Sequence, residues 1–366
     1  MFSARRIRQA RELRGFTQKE LAKRLDVSQS AIAHIEGGFK RASRSLLTQI
    51  AMQTQFPVSF FASDPPREFP IQSLLFRARA SMTRREAAEA CRYAEILNEI
   101  AEKLSSRLTV IPITLATETV DPVLAARQTR AAMQLHPEEP IPHLINLIER
   151  AGVLFLALPA ALVGRDAFAL WVDRDSVLSP LIAVSKGMPG DRLRLSSAHE
   201  LGHLVMRHAP NFDPEQERKA FAFAAELLMP AGAMRRDIPN PVTLSNIAVL
   251  KSRWGVSIQA LIRRAYDLHM ISERQYRYLF EQLSVKGWRT REPGNLEIPV
   301  EKPRGLKQMA ELIYGRSIDY EKMAADTHLS TSFLKEVMQG YSDRIAPHEK
   351  RDQPSTRVIS FAKPSR

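Results

Sequence analysis

Within the octapeptide Ala198-His199-Glu200-Leu201-Gly202-His203-Leu204-Val205, three residues have the types and spacing to hold and use a metal ion. On an α-helix His199 and His203 lie one turn apart and project from one face, so both imidazoles can grip one ion. Glu200 lies beside them, close enough to polarise a water held in an open coordination position. The plain packing alternative is a pair of core histidines on an amphipathic helix.

Two histidines leave a zinc ion under-coordinated, so a third protein ligand is expected downstream. The segment from Asp213 to Pro230 reads as a helix, with Pro214 in its first turn and Pro230 at its end. Glu217, Ala220 and Ala224 fall on one face at i, i+3 and i+7. A carboxylate followed by two small residues suits a helix that approaches a metal site closely. Glu215 and Glu226 are rival carboxylates, and a solvated charged face is the alternative for any of the three. His208 is expected at the surface or in a hydrogen bond rather than as a ligand. His136 and His143 stand beside prolines and His269 is isolated, so none of these has metal-ligand spacing.

The run RLSSAHELGHLVMRH, followed by EQERKAFAFAAELLMP, closely resembles the ImmA/IrrE family of zinc-dependent metallopeptidases. The family's second helix carries a Glu in the pattern E-x-[EQ]-A-x-x-F-A-x-x-[LF]-L-x-P. On this chain that Glu is Glu217, with Ala220, Phe223, Ala224, Leu228 and Pro230 in the flanking positions. One departure is Lys219, where many members have a second acidic residue; a ligand at that position would leave this site incomplete. The similarity spans roughly residues 120 to 292 and includes GWRTREPG. It implies Zn2+ held by His199, His203 and Glu217, Glu200 as the catalytic residue, and a repressor-type protein as substrate.

Length and composition allow two or three domains with a sizeable core. Of 366 residues 44% are hydrophobic and 25% charged, and the formal net charge of +13 is unevenly placed. Residues 1–50 contain 11 Lys and Arg against 4 Asp and Glu, so they carry +7 and the remaining 316 residues only +6. A basic N-terminal module points to a polyanion partner, a solubilising surface being the alternative. The single Cys91 excludes an internal disulfide and a cysteine-based zinc cluster. No apolar run approaches the roughly 18 residues of a membrane span, and the first residues lack a signal-peptide core. A soluble, cytoplasmic chain with no membrane partner is expected.

Residues 5–50 carry the second signal. Ile7, Ala10 and Leu13 make a first helix. Thr17 caps a second through Leu25, with Glu20 three residues after the cap. Asp26-Val27 turns the chain, Ser28 caps a third helix over Gln29–Glu36, and Gly37-Gly38 stops it. Ala22, Val27, Ile32 and Ile35 would form the small core that fixes two helices at the helix-turn-helix angle. Gln29, Ser30 and His34 then face outward, where a recognition helix meets base edges. The stretch RIRQARELRGFTQKELAKRLDVSQSAIAHIEGG resembles the XRE/Cro/cI-type DNA-binding domain. That resemblance implies Gln18 near a phosphate and Gln29 near a base. Lys40, Arg41 and Arg44 suit phosphate contacts. The DNA-contact set is Gln18, Lys19, Gln29, Ser30, His34, Lys40 and Arg41, used by a homodimer on a double-stranded operator.

The expected architecture is mainly α with a small α+β part. A five-helix helix-turn-helix domain (residues 1–65) comes first, then a helical connector (66–118), its beginning lined by Arg77, Arg79, Arg84 and Arg85. A zincin-like metallopeptidase domain with a short β-sheet (119–292) follows, then a C-terminal helical segment with a disordered basic tail (293–366). Val153–Leu158, Phe168–Val172 and Leu181–Val184 read as strands. Leu181–Val184 is the candidate edge that would hold a peptide by strand addition, a core strand being the alternative. Three helices are expected over residues 241–286. In the tail, Ala324, Leu329, Ser330, Leu334, Val337 and Gly340 repeat Ala22, Val27, Ser28, Ile32, Ile35 and Gly38 at constant offset, without Gln18 or Gln29. Helix-turn-helix packing without DNA reading is expected there. Two functions fit this plan: a DNA-binding regulator that is also a zinc endopeptidase, and a transcription factor whose metal domain senses, binds a partner or is structural, including an antitoxin-like autorepressor.

Overall fold

The computed structural model describes residues 2–65, 83–108, 119–159, 167–174, 177–209 and 213–342. Arg77, Arg79 and the basic tail lie outside these residues. The chain divides into two compact units. Met1–Val110, Leu156–Arg165 and Arg304–Arg366 form one; Ile111–Phe155 and Asp166–Pro303 form the other.

The first unit begins with α1 (Ala4–Leu13), α2 (Gln18–Arg24), α3 (Gln29–Glu36), α4 (Arg44–Thr54) and α5 (Val58–Ala62). Thr17 and Glu20 close a capping box on α2, and the Ser28 side chain accepts from Ala31 N–H at the start of α3. Leu21, Ala22, Ile32 and Ile35 are buried as the pattern requires, while Val27 is half-buried. Phe60 and Phe61 are buried.

A long helix, α6 (Arg84–Ser105), packs on α1 through ion pairs. Arg6, fully buried, donates to both carboxylate oxygens of Glu99 at 2.8 Å. Arg92 reaches Glu12 at 2.8 Å and Glu95 at 2.6 Å. Buried charges of this kind persist only when paired, so the Arg6–Glu99 and Arg92–Glu12 pairs fix how α6 lies on α1.

The tail helices α15 (Gly305–Tyr314), α16 (Tyr320–Thr327) and α17 (Thr331–Met338) belong to the same unit. The Phe333 ring lies 5.9 Å from Phe56 and 5.6 Å from Tyr93. The internal repeat is geometric as well as sequential. Asp26 and His328 stand at the shared offset with φ of 53° and 56°. Ser28 and Ser330 are both N-caps, each with its hydroxyl paired to the serine two residues on, at 2.9 and 3.1 Å. Where α3 presents His34, α17 presents the exposed acid Glu336, a side chain that phosphates repel.

The second unit contains α7 (Pro122–Ala132), α8 (Leu144–Arg150), the first two residues of β1 (Leu154–Leu158), β2 (Ala167–Arg174) and β3 (Val177–Ser185). Next come α9 (Gly190–Val205), α10 (Pro214–Leu228), α11 (Ala231–Asp237), α12 (Leu244–Trp254), α13 (Ile258–Asp267) and α14 (Glu273–Val285). The strand order is β1-β3-β2, with β2 and β3 antiparallel and Leu170 opposite Leu181. This corrects the edge assignment. Leu181–Val184 lies in the central strand, between β1 and β2, with all four residues buried. β2 stands at the sheet's end instead. No helix among the described residues is long and apolar enough to cross a membrane.

Candidate metal centre and DNA-facing helix

The core of the second unit positions α9 from both ends. Near its start, Asp191 and Glu292 hold the buried Lys251, and Arg194 donates to the carbonyls of Gly255 and Ile141 and pairs with Glu301. A Cβ on Gly190 would fall 2.3 Å from the Ile298 carbonyl oxygen, so only glycine allows that segment to cross the helix. Near its end, the Trp171 indole N–H on β2 donates to the Leu204 carbonyl at 3.3 Å.

His199, Glu200 and His203 are 8%, 7% and 4% exposed, and the two histidines face α10. The contact between the two helices depends on Gly202. A Cβ there would sit 2.9 Å from Phe223 Cδ1, and Phe223 is fully buried with nowhere to swing. Gly202→Ala should therefore cost about 1–3 kcal/mol by overpacking and also weaken zinc binding, since it pushes the helix bearing Glu217 away. Thermal melting and chelator competition read the two effects; an unchanged affinity would contradict the packing argument.

With α10 so close, three groups converge. The Nε2 atoms of His199 and His203 are 3.1 Å apart, and Glu217 approaches them at 3.2 Å and 3.3 Å. Bonds of about 2.0–2.1 Å at tetrahedral angles put zinc ligands about 3.3 Å apart, so these separations fit one such ion. Burial raises the Glu217 pKa, but hydrogen bonds and charge from the two imidazoles outweigh it and hold the carboxyl well below the ordinary range. Among the described residues, these three form the one group of ligand-type side chains within reach of a common ion.

The rival carboxylates are engaged elsewhere. Glu215, 58% exposed, pairs with Arg218 and Lys219 at the surface. Lys219, where a second acid was weighed, thus turns to Glu215. Glu226 is buried between Arg264 and Arg127 and accepts from Ala231 N–H. His143 precedes α8, and the His136 carbonyl accepts from Arg130. The Cys91 thiol is buried and its pKa is driven upward by desolvation and then by Glu95, which leaves it inert as a nucleophile.

One feature went unread in the sequence: Phe221, 55% exposed, lays its ring 4.2 Å from that of His199, and its position four residues after Glu217 was the available signal. His208, expected at the surface or in a hydrogen bond, makes such a bond, and its Nδ1 lies 3.0 Å from Nδ1 of His203.

In the helix-turn-helix segment, Gln29, Ser30 and His34 are exposed along α3, and Lys19, Lys40 and Arg41 are exposed around it. Gln18 is half-buried and donates to Glu36 at 2.9 Å, while Arg11 grips the same carboxylate through Nε at 2.6 Å. This bidentate clasp ties the start of α2 and the end of α3 to α1, fixing the angle at which α3 is presented.

Residues 7–61 match the family model for a helix-turn-helix, and residues 148–266 match the model for an IrrE N-terminal-like domain. The chain therefore joins an XRE-type, DNA-binding helix-turn-helix domain to an ImmA/IrrE-type domain. No curated protein matches the chain. A solved structure, the Bacillus thuringiensis PlcR in complex with the peptide PapR7 and DNA, is similar at 14% identity over 80% of this chain and 98% of that one. Its TM-score of 0.16 carries no argument about the fold.

Proposed function

We propose that this chain is a transcriptional regulator that binds a double-stranded operator as a homodimer and carries a zinc-dependent endopeptidase acting on a repressor-type protein. The observation behind the peptidase half is the convergence of two imidazole nitrogens and one carboxylate at tetrahedral zinc spacing, beside the buried Glu200. Zinc, when bound, supplies Lewis-acid polarisation of the scissile carbonyl and lowers the pKa of its water. Glu200 takes the proton of the attacking water and passes it to the leaving amine. An extended substrate adds along β2, which packs against α9 and whose outer edge pairs with no strand among the described residues. Incubating the purified chain with repressor proteins that act at the same promoters tests this. Discrete fragments that vanish with a chelator support it; intact repressors with the zinc-loaded chain argue for a sensing or structural metal domain.

For DNA, Gln29→Ala should relax discrimination at one base position at a cost of about 1–3 kcal/mol. Arg41→Ala should weaken binding to all sequences and flatten the salt dependence. Equal losses on specific and random duplexes for both variants would defeat the assignment.

A further inference from the structure

We infer that His208 is the positioning residue of the metal centre, acting through His203. The inference rests on the zinc site proposed above. Nε2 of His203 faces His199 and Glu217, so that nitrogen is the one available to an ion. A neutral imidazole carries a single ring proton, and ligation through Nε2 puts it on Nδ1. Nδ1 of His203 lies 3.0 Å from Nδ1 of His208, with the rings at 78°. His203 therefore donates its Nδ1–H, His208 accepts on Nδ1, and the proton of His208 itself sits on Nε2. That bond fixes both the tautomer and the rotation of His203, the two properties that a ligand's hydrogen-bond partner controls.

His208 does not reach His203 by chance of a loose loop. Arg207 takes a left-handed φ of 49°, and His208 N–H then bonds back to the His203 carbonyl at 3.0 Å. The chain reverses over the end of α9 and lays the His208 ring against that of His203. The left-handed turn costs a non-glycine residue free energy. It is held by the Arg207 guanidinium over the Trp171 ring, 4.3 Å from its centre, while the same indole donates to Leu204. Trp171, Arg207 and His208 thus form one device linking β2 to a ligand. The two ligands differ in this respect. Nδ1 of His199 is buried and has no hydrogen-bond partner among the described residues, and a phenylalanine ring packs on it instead.

The test uses the purified full-length chain, its His208→Ala and His208→Asn variants, and zinc and cobalt(II) as probes. His208→Ala should lower zinc affinity about 10- to 100-fold in chelator competition. It should also shift the visible absorption of the cobalt form, while melting of the metal-free chain stays near the parent's. Asn offers a carbonyl oxygen as acceptor and should recover part of both the affinity and the spectrum. Parental affinity and spectrum in His208→Ala would overturn the positioning role while leaving the zinc site standing. An equal loss in both variants, with metal-free melting lowered, would mean that His208 only packs. A parent chain that binds neither ion would overturn the site and this inference together.

Discussion

Glu200→Gln should keep the fold, one equivalent of zinc and DNA binding, yet lose cleavage by about two orders of magnitude or more. The reason lies in what the substitution removes. His199, His203 and Glu217 remain to hold the ion, and an amide fits the space of the carboxylate. It cannot take a proton from water and return it to an amine. In cells the variant should stay on its operator and fail to lift repression wherever cleavage is the trigger. A variant that regulates its promoter like the parent under every inducing condition would assign the metal domain to sensing or structure.

Glu217→Ala should lose zinc affinity by more than the roughly 10- to 100-fold that removal of a ligand's hydrogen-bond partner costs, because a direct ligand is gone. Its metal-free stability should fall only modestly: the contacts with the two imidazoles that hold the carboxyl's pKa down are lost, at a half-open site. Glu226→Ala is the informative contrast. It strands the buried Arg264, a loss of about 3–5 kcal/mol, and acts on melting rather than on ligation. Glu215→Ala and Lys219→Ala remove a surface pair worth at most about 1 kcal/mol and should leave zinc binding intact. Parental zinc affinity in Glu217→Ala, with loss in a Glu215 or Glu226 variant, would show that the helix register is wrong.

Local signals were well legible in the sequence. Caps at Thr17 and Ser28 lie where the patterns place them, and Ser330 repeats Ser28, because a capping hydroxyl needs only its own first turn. The spacing of His199 and His203 and the face carrying Glu217 also follow from helical period alone. What the sequence hid depends on partners distant along the chain. Strand order is one case: an apolar run such as Leu181–Val184 reads the same in a central strand as at an edge. The clasp of Arg11 on Glu36 and the pairing of Arg6 with Glu99 join helices far apart in sequence, and each residue alone reads as solvated charge. His208 reads as a surface or hydrogen-bonding residue past a helix end, and its partner stays hidden until the left-handed Arg207 folds it back. The tail shows the converse. Its helix-turn-helix core pattern is reproduced down to the turn at His328, yet Thr331 and Glu336 stand in the places of Gln29 and His34.

The account rests most directly on whether the three converging side chains hold an ion. Zinc per chain, measured after dialysis of the purified full-length parent and of His203→Ala, answers this. One equivalent in the parent and a small fraction of one in the variant is the expected result. A parent that retains no zinc, or a variant that retains as much as the parent, would contradict the assignment.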